Sequence, residues 1–133
     1  MSDKNHKMSM QLLGDVSDRD CIITDHLIDS ARTLCERVKL LKAGGAARVV
    51  ASATHGIFSG KALQRISRSA LSDVLVTDTI PLRDDVDTRD THKLSQLSVA
   101  PLLAAAIIRC QCDASLKPLR TSEEKGRYAG QGA

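Results

Sequence analysis

Apolar residues in this chain come in short runs separated by polar connections. After the polar turn Ser17-Asp18-Arg19-Asp20, the run Cys21-Ile22-Ile23-Thr24 predicts a short strand buried on both faces. A loop opening at Asp25 leads into a helix on which Leu34, Val38 and Leu41 recur at i, i+4 and i+7, and Gly44-Gly45 predicts its end. Arg48 to Ala53 reads as a second strand, finishing at Thr54-His55-Gly56. Ser59 is placed to cap a helix carrying Ala62, Leu63 and Ile66. Val74 to Thr77 predicts a third strand, closed by Asp78-Thr79-Ile80-Pro81, and Leu94 to Ser98 a fourth. Between them, the polar stretch Arg83 to Lys93 reads as a solvent loop, because Asp84, Asp85, Asp87 and Asp90 lack the spacing of a calcium loop. Pro101 suits the first turn of a helix running through Cys110, and the polar tail after Pro118 predicts fraying.

Strand and helix in alternation are the grammar of an α/β fold, a parallel sheet with helices on both faces. Such sheets bind ligands at the carboxyl ends of their strands. That rule points to Asp25–Thr33, Thr54–Gly60 and Thr77–Thr79, each directly after a strand. His55-Gly56 is read as shaping the exit from its strand, and His6 and His92 have no evident partner.

Composition narrows the function classes. The 133 residues suffice for one domain, and with one Tyr, one Phe and no Trp the core must be aliphatic. That leaves no stacking platform for single-stranded nucleic acid, and a net charge of +3 is too small to argue for a nucleic-acid partner. Locally, Arg32, Arg37, Lys39, Lys42 and Arg48 face only Glu36, which is either a solvated helix surface or one that attracts phosphates. The four cysteines, Cys21, Cys35, Cys110 and Cys112, form no CxxC pair and have no histidine at metal-ligand spacing. They read as free thiols, with Cys21 and Cys35 buried, in a reducing compartment. No apolar run approaches the ~20 residues that span a bilayer. The opening MSDKNHKMSM has no signal-peptide core, so a cytoplasmic protein without a membrane partner is expected.

The segment from Ile22 to Leu34 carries the candidate chemistry: a strand, an acidic turn, a hydroxyl-bearing loop and a helix start. A helix amino terminus offers backbone N–H groups and a positive dipole end to an anion. Ser30 and Thr33 add hydroxyls, and Asp25 can accept from vicinal sugar hydroxyls. The residues alone leave two readings open, a sugar-phosphate loop or an ordinary helix capped by Asp29 or Ser30.

This segment resembles the PRPP-binding motif of the phosphoribosyltransferase fold: a hydrophobic strand, two aspartates, two apolar residues, then Asp-Thr-Gly/Ala-Gly-Thr. The flanking blocks Leu12-Leu13-Gly14-Asp15-Val16, Ala53-Thr54-His55-Gly56-Ile57-Phe58-Ser59-Gly60, Val76-Thr77-Asp78-Thr79-Ile80-Pro81 and Leu97-Ser98-Val99-Ala100-Pro101-Leu102-Leu103-Ala104 resemble the ribose-phosphate pyrophosphokinase (PRPP synthetase) family in the same order. The resemblance covers roughly Leu12 to Leu119 and identifies the carboxy-terminal domain of that family. It implies a phosphoribosyltransferase-like domain over 12–119, preceded by a linker or flexible-loop remnant over 1–11 and followed by a disordered tail over 120–133. It also implies the family reaction, in which ribose 5-phosphate and MgATP give PRPP and AMP, within homo- or hetero-oligomers. Residue by residue, it implies that Asp25 meets the ribose hydroxyls and that Asp29, Ser30, Ala31, Arg32 and Thr33 line the 5-phosphate loop. No catalytic residue or metal ligand carries over; Lys4 meets the family's catalytic lysine only across a gap.

The match departs from the family at three loop positions. His26 stands where the family has a second aspartate, exchanging an acceptor of charge for an imidazole. Ser30 replaces a threonine and keeps the hydroxyl. Arg32 replaces a glycine, where a side chain obstructs backbone approach and a positive φ would cost roughly 1 kcal/mol. A bidentate guanidinium contact with the phosphate would compensate in part. The nucleotide-binding segments of the family fall outside the resemblance, so the expected role is the ribose-5-phosphate site of a PRPP synthetase that does not act alone. The alternative is a non-catalytic partner or regulatory subunit.

Overall fold

The protein is described here by a computed structural model covering residues 10–82 and 92–120. Seven regular elements follow the expected alternation: β1 (Asp20–Ile28), α1 (Arg32–Ala43), β2 (Arg48–Gly56), α2 (Ala62–Arg68), β3 (Asp73–Thr77), β4 (Leu94–Leu97) and α3 (Ala100–Gln111). The four strands form one parallel sheet in the order β1-β2-β3-β4. The α/β class and the parallel sheet are as the sequence predicts.

Two compact units divide the chain, Met1–Leu97 and Ser98–Ala133. In the first, alternate strand residues Val49, Ala51 and Ala53 of β2 and Val74 and Val76 of β3 are buried. They join Leu34 and Val38 of α1 and Ala62, Leu63 and Ile66 of α2 in one aliphatic core. The period of two along the strands meets the i, i+4 stripe of the helix, and burial of these side chains contributes about 1.5–3 kcal/mol for each large one. Ile22 and Leu75, at intervening strand positions, are exposed, so β1 is not buried on both faces as its apolar run predicts. In the second unit, α3 exposes Leu102, Leu103, Ile107 and Ile108, and Arg109 Nη1 donates to the Ser115 carbonyl at 2.9 Å. Lys117–Arg120 adds a 3-10 turn.

Several boundaries differ from expectation. β1 does not end at Thr24 but runs to Ile28, so Asp25 and His26 lie within the strand and the loop is reduced to Asp29, Ser30 and Ala31. The cause is tertiary: the ladder with β2 continues through Asp25↔Ala53, Leu27↔His55 and Ile28↔Gly56, overriding the low strand propensity of the two polar residues. β2 likewise extends past Ala53 to Gly56. Ser59 does not cap α2 through its side chain; the N-cap is Lys61, and Ser59 offers only its carbonyl to the Ala62 N–H at 3.2 Å.

The stop of α1 is as predicted. Gly44 donates to the Leu40 carbonyl at 3.0 Å and Gly45 takes a φ of 89°, the left-handed conformation that glycine adopts without a Cβ clash. α2 ends differently. Lys93, just before β4, donates its ammonium protons to the carbonyls of Ser69 at 2.8 Å, Ser67 at 2.9 Å and Ile66 at 3.4 Å. One side chain distant in sequence thus satisfies acceptors that the end of a helix leaves open.

All four described cysteines are free; Cys21 and Cys35 are half-buried rather than buried, and burial pushes the Cys35 thiol up. Most of the loop expected over Arg83–Lys93, the tail beyond Arg120, and Lys4 and His6 lie outside the described residues.

Gly56 closes β2 beneath the buried Phe58. A Cβ there would collide with the Phe58 ring and approach Val76 Cγ2 to 3.1 Å. Gly56→Ala is expected to destabilise the fold by about 1–3 kcal/mol, the usual cost of overpacking, measured as a lower urea midpoint at unchanged slope.

Candidate functional site

The turn that leaves β1 depends on one residue. Ala31 is buried and holds φ 57° and ψ 13°, so the chain reverses through a left-handed residue before α1 begins at Arg32. This corrects two expectations. The N-cap is Ala31, neither Asp29 nor Ser30, and it supplies no side-chain cap. The positive φ falls at Ala31, not at Arg32, which is an exposed residue of the first helical turn. The positive-φ argument against an arginine at position 32 therefore falls away, while the side chain itself lines the space at the helix start.

An uncapped start with no acidic residue in the first turn leaves the N–H groups of Arg32, Thr33 and Leu34 without a side-chain acceptor among the described residues. They border a hollow of about 310 Å³ at the carboxyl end of β1. Asp25, Asp29, Ser30, Ala31, Arg32 and Thr33, the six residues singled out from the sequence, all line it, together with His26 and Arg37.

Asp25 is held from two sides. Arg37 Nη1 donates to Asp25 Oδ2 at 2.7 Å, and the His26 backbone N–H donates to Oδ1 at 2.9 Å. His26 Nδ1 is 3.0 Å from the same Oδ1. The His26 backbone bond and then the Arg37 guanidinium hold the Asp25 carboxyl below its usual range. On the far side, Arg65 of α2 donates from Nη1 to the Ser30 carbonyl at 2.7 Å, bracing the loop from beneath.

Sequence reasoning missed Arg37 and Arg65. Arg37 was detectable: it lies four residues after Thr33 and shares its helix face, so a loop reaching Thr33 has Arg37 beside it. No local signal marks Arg65, which reaches the loop from another element.

At the ends of β2 and β3, Thr77 Oγ1 donates to the Thr54 carbonyl at 2.7 Å and His55 Nδ1 lies 2.8 Å from Thr79 Oγ1. The Ile57 N–H donates to the Ile28 carbonyl at 2.9 Å. His55-Gly56 thus marks the point where the chain turns out of the sheet.

The profile of the phosphoribosyl synthetase-associated domain family matches residues 1–120. The chain belongs to that family. A ribose-phosphate pyrophosphokinase of Nitrosomonas europaea is 44% identical over 115 residues, which are 86% of this chain and 36% of that protein. One from Ralstonia nicotianae is 48% identical over 100 residues, covering 75% and 31%. The crystal structure of phosphoribosylpyrophosphate synthetase from Mycobacterium smegmatis superposes with a TM-score of 0.70 at 38% identity, covering 77% of this chain and 33% of that one. This phosphoribosyl synthetase-associated chain is thus a ribose-phosphate pyrophosphokinase family domain spanning about a third of the length of the relatives it matches.

Among the described residues, no group of three or more His, Cys, Asp or Glu could hold a metal ion. Asp25 is already engaged by a guanidinium and an imidazole. The hollow does not fit a divalent cation held by this domain's described side chains alone.

Because the Asp25 pKa is lowered on folding, its contribution is present above the unfolded carboxyl range and lost as pH falls through the folded value. Arg37→Ala is expected to cost under about 1 kcal/mol at neutral pH, the scale of a partly exposed pair. That cost should shrink once pH drops below about 4, near the ordinary carboxyl pKa. Urea denaturation of both proteins at neutral and acid pH checks the sign.

Proposed function

We propose that this domain binds ribose 5-phosphate in the β1–α1 hollow and serves as the sugar-phosphate half of a ribose-phosphate pyrophosphokinase in the cytoplasm, without completing the reaction alone. One observation carries the proposal: an uncapped helix start, the Ser30 and Thr33 hydroxyls, Arg32 and Asp25 converge on one hollow at the carboxyl end of a strand. In this reading the phosphate sits against the N–H groups of Arg32, Thr33 and Leu34, with the Ser30 and Thr33 hydroxyls donating and the Arg32 guanidinium adding charge. Asp25 accepts from the ribose hydroxyls, and Arg37 and His26 keep its carboxylate ionised and oriented. ATP and Mg²⁺ belong to the complete enzyme, and their sites are assigned to no described residue of this chain.

Titration calorimetry with ribose 5-phosphate tests the reading. Saturable binding is expected, weakened about tenfold or more in Asp25→Ala and in Arg32→Ala, the scale of one lost charged hydrogen bond. An absence of heat up to millimolar ligand rejects the sugar site.

A second reading, a non-catalytic partner of complete synthetase subunits, is favoured by the exposed Leu102, Leu103, Ile107 and Ile108 of α3. Mixing the chain with an intact family synthetase should then give a larger species by light scattering. Unchanged masses would exclude this role.

A further inference from the structure

A second basic surface lies beside the sugar-phosphate hollow. Arg32, Cys35, Glu36 and Lys39 form a stripe on α1 at i, i+3, i+4 and i+7, the spacing that places side chains on one face. Opposite them stand Arg65 and Arg68 of α2, and Ser69 at its end. Together these residues line a groove of about 340 Å³.

Four cations and one carboxylate therefore face the same space. Among the described residues, Arg32, Lys39, Arg65 and Arg68 enter no ion pair, and Glu36 pairs with none of them although its spacing would allow it. The usual reason for arginines in a last helical turn is compensation of the open carbonyls. Here Lys93 already binds those carbonyls at the end of α2. Arg65 is committed to the Ser30 carbonyl through one nitrogen, and Arg68 has no such bond. The four cations thus outnumber the one carboxylate, Glu36, in a concave surface and form no ion pair there, an arrangement that concentrates anions.

We propose that the α1–α2 groove is a second anion site, suited to an extended oligophosphate, and that Arg32 couples it to the sugar-phosphate hollow. Extension follows from reach: Arg32 and Lys39 are seven residues apart, a rise of roughly 10 Å along the helix, so one phosphate cannot meet both ends. Coupling follows from sharing, since Arg32 lines both spaces and Arg65 both lines the groove and braces Ser30. An oligophosphate that draws these two guanidinium groups into the groove removes charge and support from the phosphate loop. The two ligands therefore oppose one another, and equally in both directions. The coupling rests on the sugar-phosphate reading above; groove binding does not.

The test is an amide-resolved NMR titration of the 133-residue chain with tripolyphosphate at fixed ionic strength, beside the double variant Lys39→Ala, Arg68→Ala. Saturable shifts at Cys35 and Ser69 are expected, with affinity at least tenfold lower in the double variant. Ribose 5-phosphate affinity of that variant should be unchanged when no tripolyphosphate is present. Equal tripolyphosphate binding by the two proteins, or no saturation at millimolar ligand, overturns the groove site. In the wild type, saturating tripolyphosphate should weaken ribose 5-phosphate binding severalfold, and an unaltered affinity overturns the coupling. Should ribose 5-phosphate not bind at all, the sugar-phosphate reading and the coupling built on it fail, while the groove stands or falls by its own shifts.

Discussion

The parallel ladder between β1 and β2 is the constraint on which everything near the hollow depends. It continues to Ile28 and Gly56, so both strands deliver their chains to the same level. The next two backbone donors after β2, Ile57 and Phe58, bond back to the Ile28 carbonyl. With Ile28 fixed in this way, only Asp29, Ser30 and Ala31 remain to reverse the chain, and three residues reverse it only through a left-handed conformation at Ala31. Such a conformation costs an alanine roughly 1 kcal/mol relative to glycine, and the buried packing around Ala31 holds it there.

That reversal has an electrostatic result. An alanine at the N-cap brings no side-chain oxygen to the start of α1, so the first N–H groups have no capping acceptor. Asp25, one strand face away, is occupied by Arg37 and His26 and does not fill the gap. The hollow accordingly has the Arg32 guanidinium and open N–H groups at the helix start, and the Arg37-paired Asp25 carboxylate on the strand. The phosphorylated sugar proposed above would set its anion against the first and its hydroxyls against the second. Arg32 adds a guanidinium at the helix start where the glycine of the family pattern would present bare backbone.

The core was legible in the sequence because aliphatic periodicity is a local property. Leu34 and Val38 on the helix, and Val49, Ala51, Val74 and Val76 on the strands, are buried as their spacing implies. All six residues placed at the site also share its hollow. What failed was whatever depended on a neighbour in space. Asp25 and His26 look like loop residues until the partner strand is present, and Ala31 has no composition that marks it as a turn. Ser59 has the right chemistry for a cap, but the chain presents only its carbonyl to α2. Arg65 acts through four carbons of reach from another helix, a distance that no pattern of spacing records.

Lys93 is a helix cap carried by a different part of the chain. Its three carbonyl contacts depend on a full ammonium, which acylation would turn into an amide with a single hydrogen to give. The end of α2 would then have unmet acceptors close to Ile66, a fully buried side chain of the core. Because Arg65 braces the phosphate loop from that same short helix, chemical modification of a lysine remote from the hollow would be felt inside it.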